Sequence, residues 1–264
     1  MSEVLEDVPL YRLPITKKMI EELPVKARRM LILSGAIAND MSEFHRLALF
    51  SLKDFGNREL NMMAHGQSWV ILRVLIGKTF EAFKFVEKHL KDTGEFYRDY
   101  LKEPLSDPKR EILAEDYLFT AYGRVWARLK AGRGLIREIR DTHAFHYDLK
   151  AYLEQGLAGL DESWETSVLM AGRKRHGNFN AFSEHAIVRS MLSLTGNADL
   201  MQAMDALRDE TTEASAEVWD LMEVIMLCIM EKHGMLKDIR VTQIATFTDA
   251  PKFSEFTIPP VCSD

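Results

Sequence analysis

Apolar residues recur at helical spacing over most of the chain, which predicts a succession of amphipathic helices. From residue 15 to residue 55 they stand three, four and seven positions apart, and Pro24 is placed to open a second helix within this range. The next segment, 58–91, is apolar on more than one face, which is typical of a helix at the centre of a bundle.

The rest of the chain continues this helical pattern, apart from two segments with a strand-like or loop-like pattern. The segment 161–182 differs in kind, because 166–170 has the composition of a strand and 172–178 is rich in glycine and basic residues, as in a loop. Residues 238–248 also alternate in a strand-like way. Further helical segments are predicted, in chain order, at 96–101, at 109–129, at 135–157, at 183–194, at 199–207 and at 211–233.

These elements together predict an all-α fold, a helical bundle with a minor strand and loop insertion around 161–182. We expect one domain over residues 1–264, because single hydrophobic cores grow to about 250–300 residues and no linker or repeat divides the chain. Residues 1–14 contain two prolines and no periodicity, which predicts an N-terminal arm, and residues 235–264 are predicted to form an extended tail.

The overall charge and the cysteine content exclude several classes of protein. A formal net charge of −6 argues against a protein that coats nucleic acid or an anionic membrane with its whole surface. Cys228 and Cys262 are too few for a disulfide framework or a thiolate zinc cluster, which fits a reducing cytosol. The N-terminal residues lack the order of a signal peptide, and no apolar run approaches the roughly 18 residues of a membrane span. We therefore expect a cytoplasmic protein.

The candidate chemistry lies in residues 134–148, whose sequence is GLIREIRDTHAFHYD. Arg140 is followed directly by Asp141, and five residues separate Arg140 from His146. The guanidinium of Arg140 is a permanent planar cation suited to a phosphodiester, and an imidazole such as that of His146 transfers protons near neutral pH. An Arg that stabilises charge and a His that moves a proton suit phosphodiester chemistry without a metal.

This arrangement resembles the signature of the HEPN superfamily, an Arg and a polar residue followed by a His, with four to six residues between the Arg and the His. Members of that superfamily are all-helical, and they include RNA-cutting toxins and antiviral effectors as well as non-catalytic binding modules. The resemblance implies an endoribonuclease acting as a toxin or in a defence or stress response, with Arg140 and His146 catalytic and Asp141 orienting one of them. The commoner family residue at the position of Asp141 is Asn.

The resemblance also implies partners and excludes a cofactor. Residues of two protomers commonly meet in a cleft in this superfamily, which implies a homodimer, and an antitoxin or another regulatory protein is an expected partner.

No cofactor and no metal are expected. The helical pairs Glu43/His45, Glu87/His89 and Glu231/His233 have an i, i+2 spacing, which does not form the Glu-x-x-His ligand pattern of helical di-metal sites.

A run of basic residues leads to the motif in an otherwise acidic chain. Six Lys and Arg residues lie between Arg124 and Arg140, against the single acid Glu138. Such a stripe is a candidate track for the phosphates of RNA. Arg133, Arg137 and Arg140 share one helical face if the helix already runs through Arg133. Candidate RNA-binding residues are Arg133, Arg137 and His143, together with Arg173, Lys174 and Arg175 of the loop.

Other interpretations of the same residues stay open. Arg58 and His65 match the motif spacing too, and His143 is an alternative base to His146, although it stands only three residues from Arg140. A second interpretation of the whole chain is a non-catalytic helical module that binds RNA, a nucleotide or a partner protein through the same surface. A structural bundle without a ligand is a third interpretation.

Overall fold

The computed structural model describes residues 8–50, 56–102, 115–132, 134–144, 158, 168–170, 178–236 and 242–247. The fold of these residues is all-α, as predicted, and the strands among them are short. The helices are α1 (Lys17–Glu21), α2 (Val25–Phe50), α3 (Arg58–His89), α4 (Glu115–Lys130), α5 (Gly134–Ile139), α6 (Ala181–Ser193) and α7 (Leu200–Lys232), with π-helical turns at Tyr97–Leu101 and Arg140–Ala144. The strands are β1 (Val8–Arg12), β2 (Val168–Met170), β3 (Asn178–Asn180) and β4 (Thr242–Phe247).

The long helices α2, α3 and α7 pack against one another and form the centre of the bundle. Their facing sides carry large apolar side chains with no solvent exposure, such as Ile76, Phe83 and Ile225. Burying side chains of this size contributes about 1.5–3 kcal/mol each. Helix α4 packs on α7, α5 packs on α3, and α6 packs on both α3 and α7. No helix in this part of the chain is long and apolar enough to cross a membrane.

The described strands form two antiparallel pairs. Strand β1 pairs with β4, so that part of the predicted N-terminal arm is joined to part of the predicted extended tail. Strand β2 falls within the strand predicted at 166–170, and β4 falls within the strand-like segment 238–248. The first residue of β3, Asn178, had been assigned to a loop; β3 forms because β2 offers it a ladder of backbone hydrogen-bonding groups.

Among the described residues, the helical pattern was divided wrongly at helix α7. Separate helices at 199–207 and 211–233 were predicted, whereas a single helix of 33 residues spans both. The helix continues because the exposed Arg208 and Asp209 lie on its outer face. On its inner face Thr211 is buried, and its hydroxyl donates to the carbonyl of Leu207 at 2.7 Å, so the polar residue costs no unpaired group.

Other predicted boundaries agree with the structure where it describes them. The chain turns between α1 and α2, where Pro24 directly precedes the second helix. Helix α3 covers nearly the whole of the predicted 58–91 segment, and the side chain of Asn57 accepts the backbone N–H of Leu60 at its start. The predicted helix 135–157 corresponds to α5 and the π-helical turn as far as Ala144, and residues 145–157 lie outside the described residues.

Candidate functional site

Arg140 is the first residue of the π-helical turn that continues α5. Gly132 and Gly134 have positive φ angles of 89° and 44°, a conformation that glycine adopts readily, and they redirect the chain between α4 and α5. Helix α5 then buries Ile136 and Ile139 completely, and both α5 and the π-helical turn pack on α3. This packing brings Arg140 alongside the C-terminal half of α3.

Among the described residues, two carboxylates and an aromatic ring contact the guanidinium of Arg140. It donates from Nη2 to Oε1 of Glu81 at 2.9 Å and from Nη1 to Oδ1 of Asp141 at 3.0 Å. Its central carbon lies 4.9 Å from the centroid of the Phe80 ring, a cation–π distance. Burial lowers the pKa of Arg140, but the hydrogen bonds to Asp141 and Glu81 outweigh it, so the net pKa is raised. The group is therefore a charged and oriented cation.

Asp141 lies between two arginines of the predicted site. Besides its contact with Arg140, its Oδ2 lies 3.6 Å from Nε of Arg137, one helical turn earlier. The side chain of Arg137 is 61% exposed and that of Arg140 is 20% exposed. The structure thus brings Arg137, Arg140 and Asp141 into one small cluster, with Arg137 open to solvent.

The structure describes little of the other residues of the predicted site. His146, Arg133, Arg173, Lys174 and Arg175 lie outside the described residues. The backbone of His143 belongs to the π-helical turn, but its side chain is not among those described. Their catalytic and RNA-binding roles stay predictions.

Two arginines of the basic run that leads to the motif form ion pairs with carboxylates of α7. Arg124 donates to Asp220 at 2.8 Å. Arg128, whose side chain is 15% exposed, donates from Nε to Glu217 at 2.8 Å and from Nη1 to Glu210 at 2.6 Å. These two cations hold α4 on α7, so the stretch of the run that faces solvent is shorter than the sequence indicated.

A second group of basic side chains, which the sequence analysis did not assign to a site, lies between α3, α6 and the start of α7. We call it the α3–α6 cleft; its volume is about 430 Å³. An apolar pocket of about 170 Å³ adjoins it and shares His65, Trp69 and Met204 as lining residues. The basic side chains of the α3–α6 cleft are Arg58, His65, His185 and Arg189.

The signal for this cleft was present in the sequence but divided between distant segments. Arg58 and His65 are the second pair with the motif spacing, and they stand two helical turns apart on α3. His185 and Arg189 stand one turn apart on α6. Only the packing of α6 on α3 shows that the two pairs line the same cleft.

Glu184, the acid among the described lining residues of the α3–α6 cleft, is paired with Arg73. Arg73 donates from Nη2 to both carboxylate oxygens of Glu184, at 2.9 Å and 2.8 Å, and both side chains are nearly buried. Burial lowers the pKa of His185, and the nearby positive charges of Arg189 and His65 lower it further. The cleft is therefore an electropositive region of an acidic chain.

The described residues contain no group of three or more His, Cys, Asp or Glu side chains placed to hold a metal ion. Neither group of basic residues is therefore organised around a described cluster of metal ligands. No known protein family, curated protein or solved structure matches this chain.

Proposed function

We propose that this chain is an HEPN-like, metal-independent endoribonuclease that acts through Arg140 and His146. The observation that supports the proposal is the orientation of the Arg140 guanidinium by Asp141, at the start of a π-helical turn that ends at Ala144, two residues before His146 in the sequence. π-Helical turns occur frequently at functional sites. The resemblance of the motif to the HEPN signature, and a role in toxin or antiviral defence, are parts of the same proposal.

The proposed chemistry is an internal transfer at phosphorus. The 2′-hydroxyl of one nucleotide attacks the adjacent phosphate and loses its proton, and the bond to the 5′-oxygen of the next nucleotide breaks as that oxygen is protonated. His146 accepts the proton of the 2′-hydroxyl and delivers it to the departing 5′-oxygen, and Arg140 stabilises the charge that develops on the phosphate oxygens. Arg137, which is largely exposed beside Asp141, supplies a further cation for the RNA backbone.

In the proposed mechanism the phosphate replaces Glu81 at Arg140, and the surroundings of Glu81 support this exchange. The same oxygen of Glu81 that accepts from Arg140 also lies 3.2 Å from Nζ of Lys84. Glu81 is 49% exposed, so on losing Arg140 it keeps both a lysine partner and contact with water. Exposed ion pairs of this kind are worth about 0.2–1 kcal/mol, which a phosphodiester contact is able to exceed.

The alternative function is a non-catalytic module that binds RNA, a nucleotide or a partner protein. The same ion pair favours it, because an arginine that joins the π-helical turn to α3 through Glu81 has a structural role already. The two candidate functions differ in what happens to RNA: the endoribonuclease cleaves it, whereas the module binds its ligand and releases it unchanged.

Incubation of the purified chain with a mixed panel of RNAs is expected to yield fragments that end in a 2′,3′-cyclic phosphate and a 5′-hydroxyl. Cleavage is expected to persist in EDTA, because the proposed reaction uses an imidazole and a guanidinium and no metal. Electrophoresis followed by mass spectrometry of the fragment ends measures both. Binding of RNA without cleavage, with or without added divalent ions, would favour the non-catalytic module.

The resemblance further implies that the active form is a homodimer whose contact includes the segment 135–157. Two copies of the Arg140 cluster would then face the same RNA, and each would add phosphate ligands that the other lacks. Sedimentation velocity at micromolar concentration is expected to show a dimer. A monomer that nevertheless cleaves RNA would contradict the shared-cleft arrangement while leaving the chemistry of Arg140 in place.

A further inference from the structure

The α3–α6 cleft and the pocket beside it have complementary halves. The half towards α6 carries Arg58, His185 and Arg189. The half towards α2 exposes a mostly apolar surface, to which Leu72 and Met201 contribute, although Asp205 and Arg208 also line it. His65, Trp69 and Met204 line both halves and join them into one concave surface. A concave surface that is largely apolar, with a few convergent polar groups, is the usual form of a small-molecule site.

The arginines of the basic half differ from four other described arginines in that no described carboxylate pairs with them. Arg73, Arg124, Arg128 and Arg140 each bind a protein carboxylate. Neither Arg58 nor Arg189 forms an ion pair with an acid among the described residues. Of the described acids that line this surface, Glu184 is bound through both oxygens by Arg73, and Asp205 lies 3.0 Å from Nη2 of Arg208. An anion of suitable size would therefore meet cations without displacing a described carboxylate.

We propose that this cleft binds a nucleoside monophosphate, with the phosphate against Arg58, His185 and Arg189 and the base against Trp69. Arginine matches phosphate geometry, because its planar fork donates two parallel hydrogen bonds. The indole of Trp69 offers a stacking surface for a base, and the flexible Met204 adapts to the shape of the ligand. Such a ligand has an anionic end and a flat apolar end, which correspond to the two halves of the surface.

The proposed site is separate from the Arg140 cluster. His65 and Glu81 stand 16 residues apart on α3, which corresponds to about 24 Å along the helix axis. The nucleotide site therefore makes a prediction of its own and does not depend on whether the chain cleaves RNA.

Isothermal titration calorimetry of the full chain with AMP, adenosine and inorganic phosphate tests the proposal. AMP is expected to bind more tightly than either fragment by about tenfold or more, because it alone occupies both halves. Inorganic phosphate is expected to compete with AMP. Equal affinity for adenosine and AMP would overturn the assignment of the basic half, and no binding of AMP at millimolar concentration would overturn the proposal as a whole.

Substitutions in each half, with a matched control, locate the binding. Arg58→Gln and Arg189→Gln are each expected to weaken AMP binding by about ten- to a hundredfold, the usual effect of losing a charged hydrogen bond. Arg98→Gln is the control, because Arg98 is 64% exposed and lies outside the cleft. Unchanged AMP affinity in both cleft variants, with thermal unfolding like that of the wild type, would overturn the proposal.

A spectroscopic measurement tests the position of the base. AMP is expected to quench the fluorescence of Trp69, and the Trp69→Phe variant is expected to lose that quenching while it still binds AMP by calorimetry, since phenylalanine also stacks. If Trp69→Phe retains the full quenching, the base does not lie against Trp69 and the proposed orientation is wrong.

Discussion

The Arg128→Ala variant is expected to lose about 3 kcal/mol of the free energy of unfolding, the lower end of the cost of removing one partner of a buried ion pair. Arg128 joins α4 to α7 through Glu210 and Glu217, and its side chain is 15% exposed. Without it, both carboxylates lose their main described cation. The loss stays at the lower end because Glu210 is 27% exposed and regains some hydration. Urea denaturation at neutral pH measures the change.

Two further variants separate this ion-pair network from a general effect of removing an arginine. Arg98→Ala is expected to change the free energy of unfolding by less than about 0.5 kcal/mol, because the exposed Arg98 contacts the neighbouring Asp99. Arg128→Lys keeps the charge but loses the fork that reaches two carboxylates, so an intermediate loss is expected. If Arg128→Ala were as stable as Arg98→Ala, the carboxylates of α7 would be fully rehydrated and the network would have no net stabilising effect.

The helices were predictable because each depends on contacts that are close in sequence. Apolar residues three and four positions apart define the buried faces of α2 and α3 whatever those faces pack against. The predicted division of α7 between residues 207 and 211 was wrong, because Arg208 and Asp209 lie on the exposed outer face of one continuous helix whose inner face buries Leu207 and Thr211. The pairing of β1 with β4 joins the two ends of the described chain, and no short-range pattern specifies it.

The candidate site was predictable in its local part and not in its partners. Asp141 follows Arg140 in sequence, and a contact between them was among the predicted alternatives. Glu81, which binds the same guanidinium, lies 59 residues away, and Glu217 lies 89 residues from Arg128. A run of arginines indicates local positive charge, but the carboxylates that neutralise part of it are brought there only by packing. The α3–α6 cleft was missed for the same reason, since its two pairs of basic residues belong to different helices.

The largest effect on activity is expected from the two proposed catalytic residues. His146→Ala is expected to reduce RNA cleavage by about 10²–10⁴-fold, the usual contribution of general acid–base catalysis. Arg140→Ala is expected to reduce it by about 10²–10³-fold, the effect of losing one donor that stabilises developing charge. Initial rates of cleavage, measured on a fluorescent RNA at a temperature where each variant is folded, give the comparison. His89→Ala, at the exposed end of α3, serves as the matched histidine control.

A control for Arg140 must separate its proposed role at the phosphate from its contact with α3. Glu81→Gln provides one, because it removes the carboxylate that binds Arg140 and leaves the guanidinium in place. If Arg140 acts on RNA, Glu81→Gln is expected to cleave as fast as the wild type or up to about fivefold faster, since an exposed ion pair no longer competes with phosphate. Arg140→Ala is expected to lose activity even where circular dichroism shows it fully folded.

The opposite pattern would assign Arg140 to the structure alone. Both Arg140→Ala and Glu81→Gln would then lower the unfolding temperature, because each breaks the contact with Glu81 that joins the π-helical turn to α3. Arg140→Ala would lower it further, since it also removes the contacts with Asp141 and Phe80. Both folded variants would also treat RNA as the wild type does. In that case the motif that resembles the HEPN signature would be a helix-packing feature. The non-catalytic module would replace the endoribonuclease as the function of the chain, whereas the proposed nucleotide site, with Trp69 and Arg189, would be unaffected.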